Sequence, residues 1–143
     1  MKIHVIDDSG EVASMLLMAE ADIAFYEDEI QALQAMQRIK PSVLLLSFNN
    51  QQQKTPAYIR ALLEISPSTH IVVIGDDVSE DMICECLLAG ACGYQKKSQL
   101  NLYFKKMISV VVDGEAWVSR KLVAHLLDNL RRQKQPDLWM TMA

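Results

Sequence analysis

The chain has 143 residues, half of them hydrophobic and 22% charged, with a formal net charge of −4. That length suits one domain with a real core, and that composition excludes a disordered tail or a coiled coil. The acidic balance argues against direct nucleic-acid binding by this chain, which needs a basic face to displace counterions from phosphates.

No apolar run approaches the roughly 18 residues of a membrane span, and Met1-Lys2-Ile3-His4-Val5 lacks a signal peptide's long apolar region. A cytoplasmic protein with no membrane partner is therefore expected. Cys84 and Cys86, two apart on a predicted helix, point to different faces and read as small buried thiols rather than a metal or disulfide pair.

In chain order, Ile3–Ile6 is a predicted strand, followed by an amphipathic stretch with Val12, Met15, Leu16 and Ala19 on one side. Asp22–Tyr26 is a weaker strand, and Ile30, Leu33 and Met36 then recur at helical spacing. Ser42–Leu46 is the most apolar strand; the Gln51-Gln52-Gln53 run after it reads as an exposed loop. Pro56 opens a helix carrying Ile59, Leu62 and Leu63, since its missing N–H has no helical partner there anyway. His70–Ile74 is the next strand, and Ser79 is an N-cap for a helix carrying Met82, Ile83, Cys86 and Leu87. Gly90 stops that helix, Gly93–Gln95 is a short strand, and Ser98 caps a helix to about Asp113.

Strand and helix thus alternate five times. Strands that are apolar throughout are buried on both faces, which implies a parallel sheet between two helical layers. The predicted fold is α/β, a doubly wound five-stranded parallel sheet with an extra C-terminal helix. The pattern restarts after Gly114, giving a first domain over residues 1–113, a linker helix over 114–135 and a tail over 136–143. That last helix, roughly Arg120–Arg132, carries Leu122, Leu126, Leu127 and Leu130 on one stripe.

In such sheets the site lies at the carboxyl ends of the strands. Asp7 and Asp8 follow the first strand, and adjacent carboxylates repel unless something neutralises them. A Mg²⁺ ion does this, and so does an ammonium from Lys97. A third reading is that Asp8 or Ser9 caps the next helix while Asp7 is merely solvated. Asp76 and Asp77 add carboxylates near the same mouth and Lys96 joins Lys97; these either pair across the mouth or point into water.

Three motifs in this order carry a resemblance. Val5-Ile6-Asp7-Asp8, Pro41-Ser42-Val43-Leu44-Leu45-Leu46 and Ala89-Gly90-Ala91-Cys92-Gly93-Tyr94-Gln95-Lys96-Lys97 closely resemble a response-regulator receiver domain (CheY-like) of two-component signal transduction over about Lys2–Asp113. Val112–Leu122 further resembles the segment after the receiver in LuxR/NarL-type transcription regulators.

The resemblance implies that Asp7 and Asp8 are the Mg²⁺-holding pair, Lys97 the lysine after the fifth strand and Tyr94 the aromatic switch. It also places Ser47 where the phosphoacceptor aspartate is expected and Gly75 where a Thr or Ser is expected. Phosphoryl transfer to a carboxylate needs that carboxylate as nucleophile and metal ligand, so the resemblance implies a degenerate receiver. No enzyme activity, and at most weak Mg²⁺ binding as a cofactor, are expected.

The leading expectation is a pseudo-receiver that binds a protein partner or itself, as a homodimer, using helices about Ser79–Ala89 and Ser98–Asp113 and an interface row of Leu122, Leu126 and Leu130; the other reading of that row is that it folds back onto the chain's own domain. The alternative is the receiver portion of a LuxR-type DNA-binding regulator. A flavodoxin-like redox enzyme is disfavoured, because Asp7-Asp8-Ser9-Gly10-Glu11 puts negative charge where a phosphate would sit.

Overall fold

Five strands form one wholly parallel sheet in the order β2-β1-β3-β4-β5. In this computed structural model the backbone is described for residues 1–142 and side chains for residues 1–133. The strands are β1 (Lys2–Ile6), β2 (Asp22–Tyr26), β3 (Val43–Ser47), β4 (His70–Gly75) and β5 (Gly93–Lys96). The helices are α1 (Glu11–Met15), α2 (Glu29–Arg38), α3 (Phe48–Gln51), α4 (Thr55–Ile65), α5 (Glu80–Leu88), α6 (Leu100–Val112) and α7 (Arg120–Met142). The doubly wound sheet and the added C-terminal helix are as the alternation predicts.

Side-chain alternation along the central strands feeds two cores. Ile3, Val5, Val43, Leu45, Val72 and Ile74 face α1 and α6, meeting Val12, Leu16, Leu100, Phe104 and Met107. Ile6, Leu44, Leu46, Ile71 and Val73 face the other way, onto Met36 of α2, Ile59 and Leu62 of α4 and Cys86 of α5. Each such side chain, taken fully out of water, contributes about 1.5–3 kcal/mol, so the two-sided strands anchor the fold.

Several boundaries differ from expectation. α1 stops at Met15 rather than running to Ala19, and Leu17 and Met18 are exposed in the turn that follows. Ile30 is likewise exposed, and α2 buries Ala32, Ala35 and Met36 instead. The Gln51–Gln53 run is not a loop: α3 starts directly after Ser47 and a 3₁₀ turn over Gln52–Lys54 joins it to α4. Ser98 does not cap α6, which starts at Leu100 after a 3₁₀ turn over Lys97–Gln99. Ser79 does cap α5, its side chain accepting from the Met82 N–H.

The segment after α6 is built into the sheet. Trp117 forms a parallel bridge with Gly93. Its N–H donates to the Cys92 carbonyl at 3.0 Å and its carbonyl accepts from the Tyr94 N–H at 3.0 Å. A Cβ on Gly93 would lie 2.5 Å from the Trp117 oxygen, so glycine is required for this approach. The Trp117 indole N–H donates to Gln95 Oε1 at 2.9 Å, fixing the ring beside Tyr103.

Ser119 then caps α7, accepting from the Leu122 N–H. Leu122, expected on an outward interface row, is buried against Ile83 and Cys84 of α5, and Leu126 packs beside it with Val78, Leu87 and Tyr94. These two leucines fold back onto the chain's own domain because they stand one helical turn apart facing the apolar side of α5. Leu130 is half-buried, and Val123 and Leu127 are exposed. The α7 backbone is helical through Met142; the tail expected over 136–143 lies outside the residues whose side chains are described. Cys84 and Cys86 are both buried and face different ways, Cys84 under α7 and Cys86 in the sheet core.

Candidate functional site

The sheet order brings the ends of β1, β3, β4 and β5 side by side, and with them Asp7, Asp8, Ser47, Gly75 and Lys97. The geometry at this mouth is set by who satisfies each polar group. Asp7 is 5% exposed. Its Oδ1 accepts from the Ser9 hydroxyl at 2.8 Å and the Ser9 N–H at 3.2 Å, and its Oδ2 from the Val12 N–H at 2.9 Å. Both carboxylate oxygens thus hold the entrance to α1, where orphan N–H groups favour an anion. Capping is the reading realised here: the Ser9 hydroxyl accepts from the Glu11 N–H at 3.2 Å, as expected of Asp8 or Ser9, and Asp7, far from being merely solvated, accepts from the Val12 N–H.

Asp8 is exposed, and its N–H donates to Asn50 Oδ1 at 3.0 Å. The Asn50 amide in turn donates to the Glu27 carbonyl and to Glu29 Oε1 at 3.1 Å. Asn50, which sequence reasoning passed over, therefore ties the end of β1 to the start of α2 across the mouth.

Lys97 is buried, yet its ammonium does not bridge the acidic pair. It bonds Glu11 Oε2 at 2.8 Å, and that hydrogen bond raises its pKa above the ordinary lysine value. Glu11 wins because it is a flexible partner on the first turn of α1, whereas Asp7 is already committed to three donors. Only the run of acids was legible in sequence; the choice among them was not. Asp76 is exposed and accepts weakly from the Ser98 N–H at 3.4 Å, and Asp77 is exposed with a left-handed backbone. Neither makes an ion pair among the described residues.

Ser47 is buried at the end of β3, directly under the first turn of α3. At the end of β4, a side chain on Gly75 would meet Val78 at 2.9 Å and Phe48 at 3.3 Å. The space a Thr or Ser would need is thus filled by neighbours. The Tyr94 hydroxyl donates to the Gly75 carbonyl at 2.6 Å. Burial, helped by the nearby Asp76 and Asp77 charges, pushes the phenol's pKa up to about 12, so this donor stays protonated at neutral pH.

No three carboxylate, imidazole or thiol groups converge to hold a metal ion among the described residues. Nor is any described helix long and apolar enough to cross a membrane. Asp7 and Asp8 offer a divalent cation one free carboxylate and one already bonded to three N–H and O–H groups, which is a poor fit to the oxygen-rich shell that Mg²⁺ requires.

A five-stranded parallel sheet in this order, flanked by helices on both faces, is the fold of receiver domains. The isolated receiver domain of RcsB from Salmonella enterica serovar Typhimurium superimposes with a TM-score of 0.75 at 16% identity, covering 90% of this chain and 98% of that one. A LuxR-family two-component response regulator from Aurantimonas sp. does so at 0.74 and 16% identity, covering 90% and 96%.

In sequence, the chain is 27% identical over 144 residues to the oxygen regulatory protein NreC of Staphylococcus epidermidis, covering 96% of this chain and 66% of that protein. It is 24% identical over 143 residues to the transcriptional regulatory protein DegU of Brevibacillus brevis, covering 96% and 61%. The chain spans about two thirds of the length of these curated relatives. No family model matches it.

Proposed function

We propose that the chain is a pseudo-receiver, a signalling module that works through protein–protein contact and does not take up phosphate. The observation that carries this reading is Ser47, buried where the fold would present an acceptor carboxylate. A neutral hydroxyl there has no general base beside it, for neither Asp7, bonded to α1, nor Lys97, bonded to Glu11, is free to take its proton. Gly75 supplies no hydroxyl for a phosphoryl oxygen, and Tyr94 is already anchored on the Gly75 carbonyl. Under this reading the mouth is a fixed structural rim, Mg²⁺ binding is millimolar or absent, and the working surface lies on the outer helices.

The test is intact-mass spectrometry after incubation with acetyl phosphate and Mg²⁺. No adduct is expected, and a Mg²⁺-dependent, base-labile gain of one phosphoryl group would overturn the proposal. A second reading has its own support: the relatives are about half as long again as this chain, and one of them is a transcriptional regulatory protein. On that reading the module serves as the receiver portion of a DNA-binding regulator. The mass of the protein expressed from its native gene decides between a module alone and a longer chain.

A further inference from the structure

α7 is held to α5 by more than its leucines. His125, on the α7 turn after Lys121, sits between the two acids that open α5. Its Nε2 lies 2.7 Å from Asp81 Oδ1 and its Nδ1 lies 3.3 Å from Glu80 Oε2. Asp81 Oδ1 only accepts at neutral pH, so the 2.7 Å hydrogen bond requires a proton on Nε2, and the Glu80 carboxylate at ion-pair distance from Nδ1 favours a second proton there. A neutral imidazole has one donor and one acceptor, and its bare nitrogen would face a carboxylate lone pair. The docked geometry is therefore complementary to the imidazolium.

The other charged groups around this contact are few. Lys121 reaches Glu80 at 3.4 Å from one turn before His125. On the following turn Asp128 lies near Arg131 at 3.9 Å, and Arg132 bonds Asn129. From α5, only Glu80 and Asp81 are within bonding distance of the ring. The Asp81 carboxyl is held below its usual range, first by the hydrogen bond from His125 and then by Asn129, in keeping with a carboxylate on which donors converge.

What lies beneath the latch gives it meaning. Leu122 and Leu126 cover Ile83 and Cys84, and the same cluster includes Tyr94, whose hydroxyl is tied to the end of β4. α7 thus presses on both the apolar side of α5 and the aromatic side chain that reports to the mouth.

We infer that α7 is a proton-controlled strap, docked on α5 when His125 is charged and loosened when it is neutral. Imidazole is the side-chain type whose charge ordinarily changes between about pH 5 and 8, so the strap is compared at about pH 6 and about pH 8. Loosening uncovers Ile83, Cys84 and Leu87 for a partner and frees Tyr94 on one side. This switch is independent of whether the mouth takes up phosphate.

Alkylation of Cys84 in the full chain reads the strap directly. Its rate at each pH is divided by the rate in unfolded protein at the same pH, which removes the titration of the thiol itself. Cys86, buried in the sheet core, is mapped in the same digests and reports global opening. Protection of Cys84 should fall about tenfold between pH 6 and pH 8, the worth of one charge-assisted hydrogen bond, while Cys86 protection does not fall.

His125→Gln, and separately Glu80→Gln with Asp81→Asn, should flatten the Cys84 profile. His125→Arg, which keeps its charge, should hold protection high at pH 8. A flat wild-type profile, a Cys86 profile that follows Cys84, or an unchanged pH dependence in either the histidine or the carboxylate variants would overturn the inference.

Discussion

His4 sits in the middle of the sheet with its Nδ1 buried and without a hydrogen-bond partner, its ring 5.1 Å from that of Tyr26. Burial, and then the charge on Lys2, lower its pKa below 6.5. The folded state therefore holds His4 neutral, whereas the unfolded chain protonates it as pH falls through about 6.5. The stability this preserves is fully present above that value and is lost as pH drops toward the folded pKa, at up to about 1.4 kcal/mol per pH unit. The urea midpoint of the wild type relative to that of His4→Leu should accordingly fall between pH 7.5 and 5.5; parallel profiles would assign the loss elsewhere.

The residues of the mouth divide by how far sequence reaches. Asp7, Asp8, Ser47, Gly75 and Lys97 were legible because each follows an apolar strand, and strand ends are fixed by local pattern. Their partners were not. Whether Lys97 bonds Asp7 or Glu11 depends on how α1 swings over the rim, and that is set by three hydrogen bonds to a single carboxylate.

Among the elements, the buried strands were the clearest, since Val-, Ile- and Leu-rich runs admit few other placements. α1 was the least clear. Its apolar period continues through Leu16 and Ala19, yet the helix ends at Met15 with no basic residue in its last turn. The union of Trp117 with β5 was invisible for a different reason. It joins residues 93 and 117 through backbone groups, and only the absence of a Cβ at Gly93 betrays it.

That absence yields a test. Gly93→Ala puts a methyl group 2.5 Å from the Trp117 carbonyl and 2.8 Å from the Trp117 Cβ, an overpacking that costs about 1–3 kcal/mol. In a Trp139→Phe background the indole emission should shift to the red as Trp117 leaves Gln95, with a matching loss in thermal stability. Unchanged emission would show that the segment shifts without letting go.

For the molecule acting with others, the surface inventory has changed from what the pattern of leucines suggested. α5 is partly covered by α7, so of the two helices expected to meet a partner α6 is the more open. It exposes Leu102 (75%), Tyr103 and Val112 (41%) beside Lys105 and Lys106. If the module self-associates through this face, wild type should sediment as a dimer at micromolar concentration and Leu102→Glu with Val112→Glu as a monomer. Exposed positions tolerate such changes with little loss of stability, so the melting temperature should hold. A monomeric wild type, or a variant that still dimerises, would place the working surface elsewhere.

The Trp117 bridge has one more effect, on how the protein behaves in a crowded solution. An open sheet presents a row of unpaired N–H and C=O groups along each outermost strand, a template on which a second chain can add. Here the outer side of β5 is met by the chain's own backbone at Trp117, and the template is interrupted at its start. β2, at the other edge, has no such backbone partner among the described residues, and there the Lys2–Asp22 ion pair at 3.1 Å sets charge on the first rung. The bulk of Trp117 thus acts as a stopper against strand-on-strand aggregation, and Gly93 is the notch that seats it.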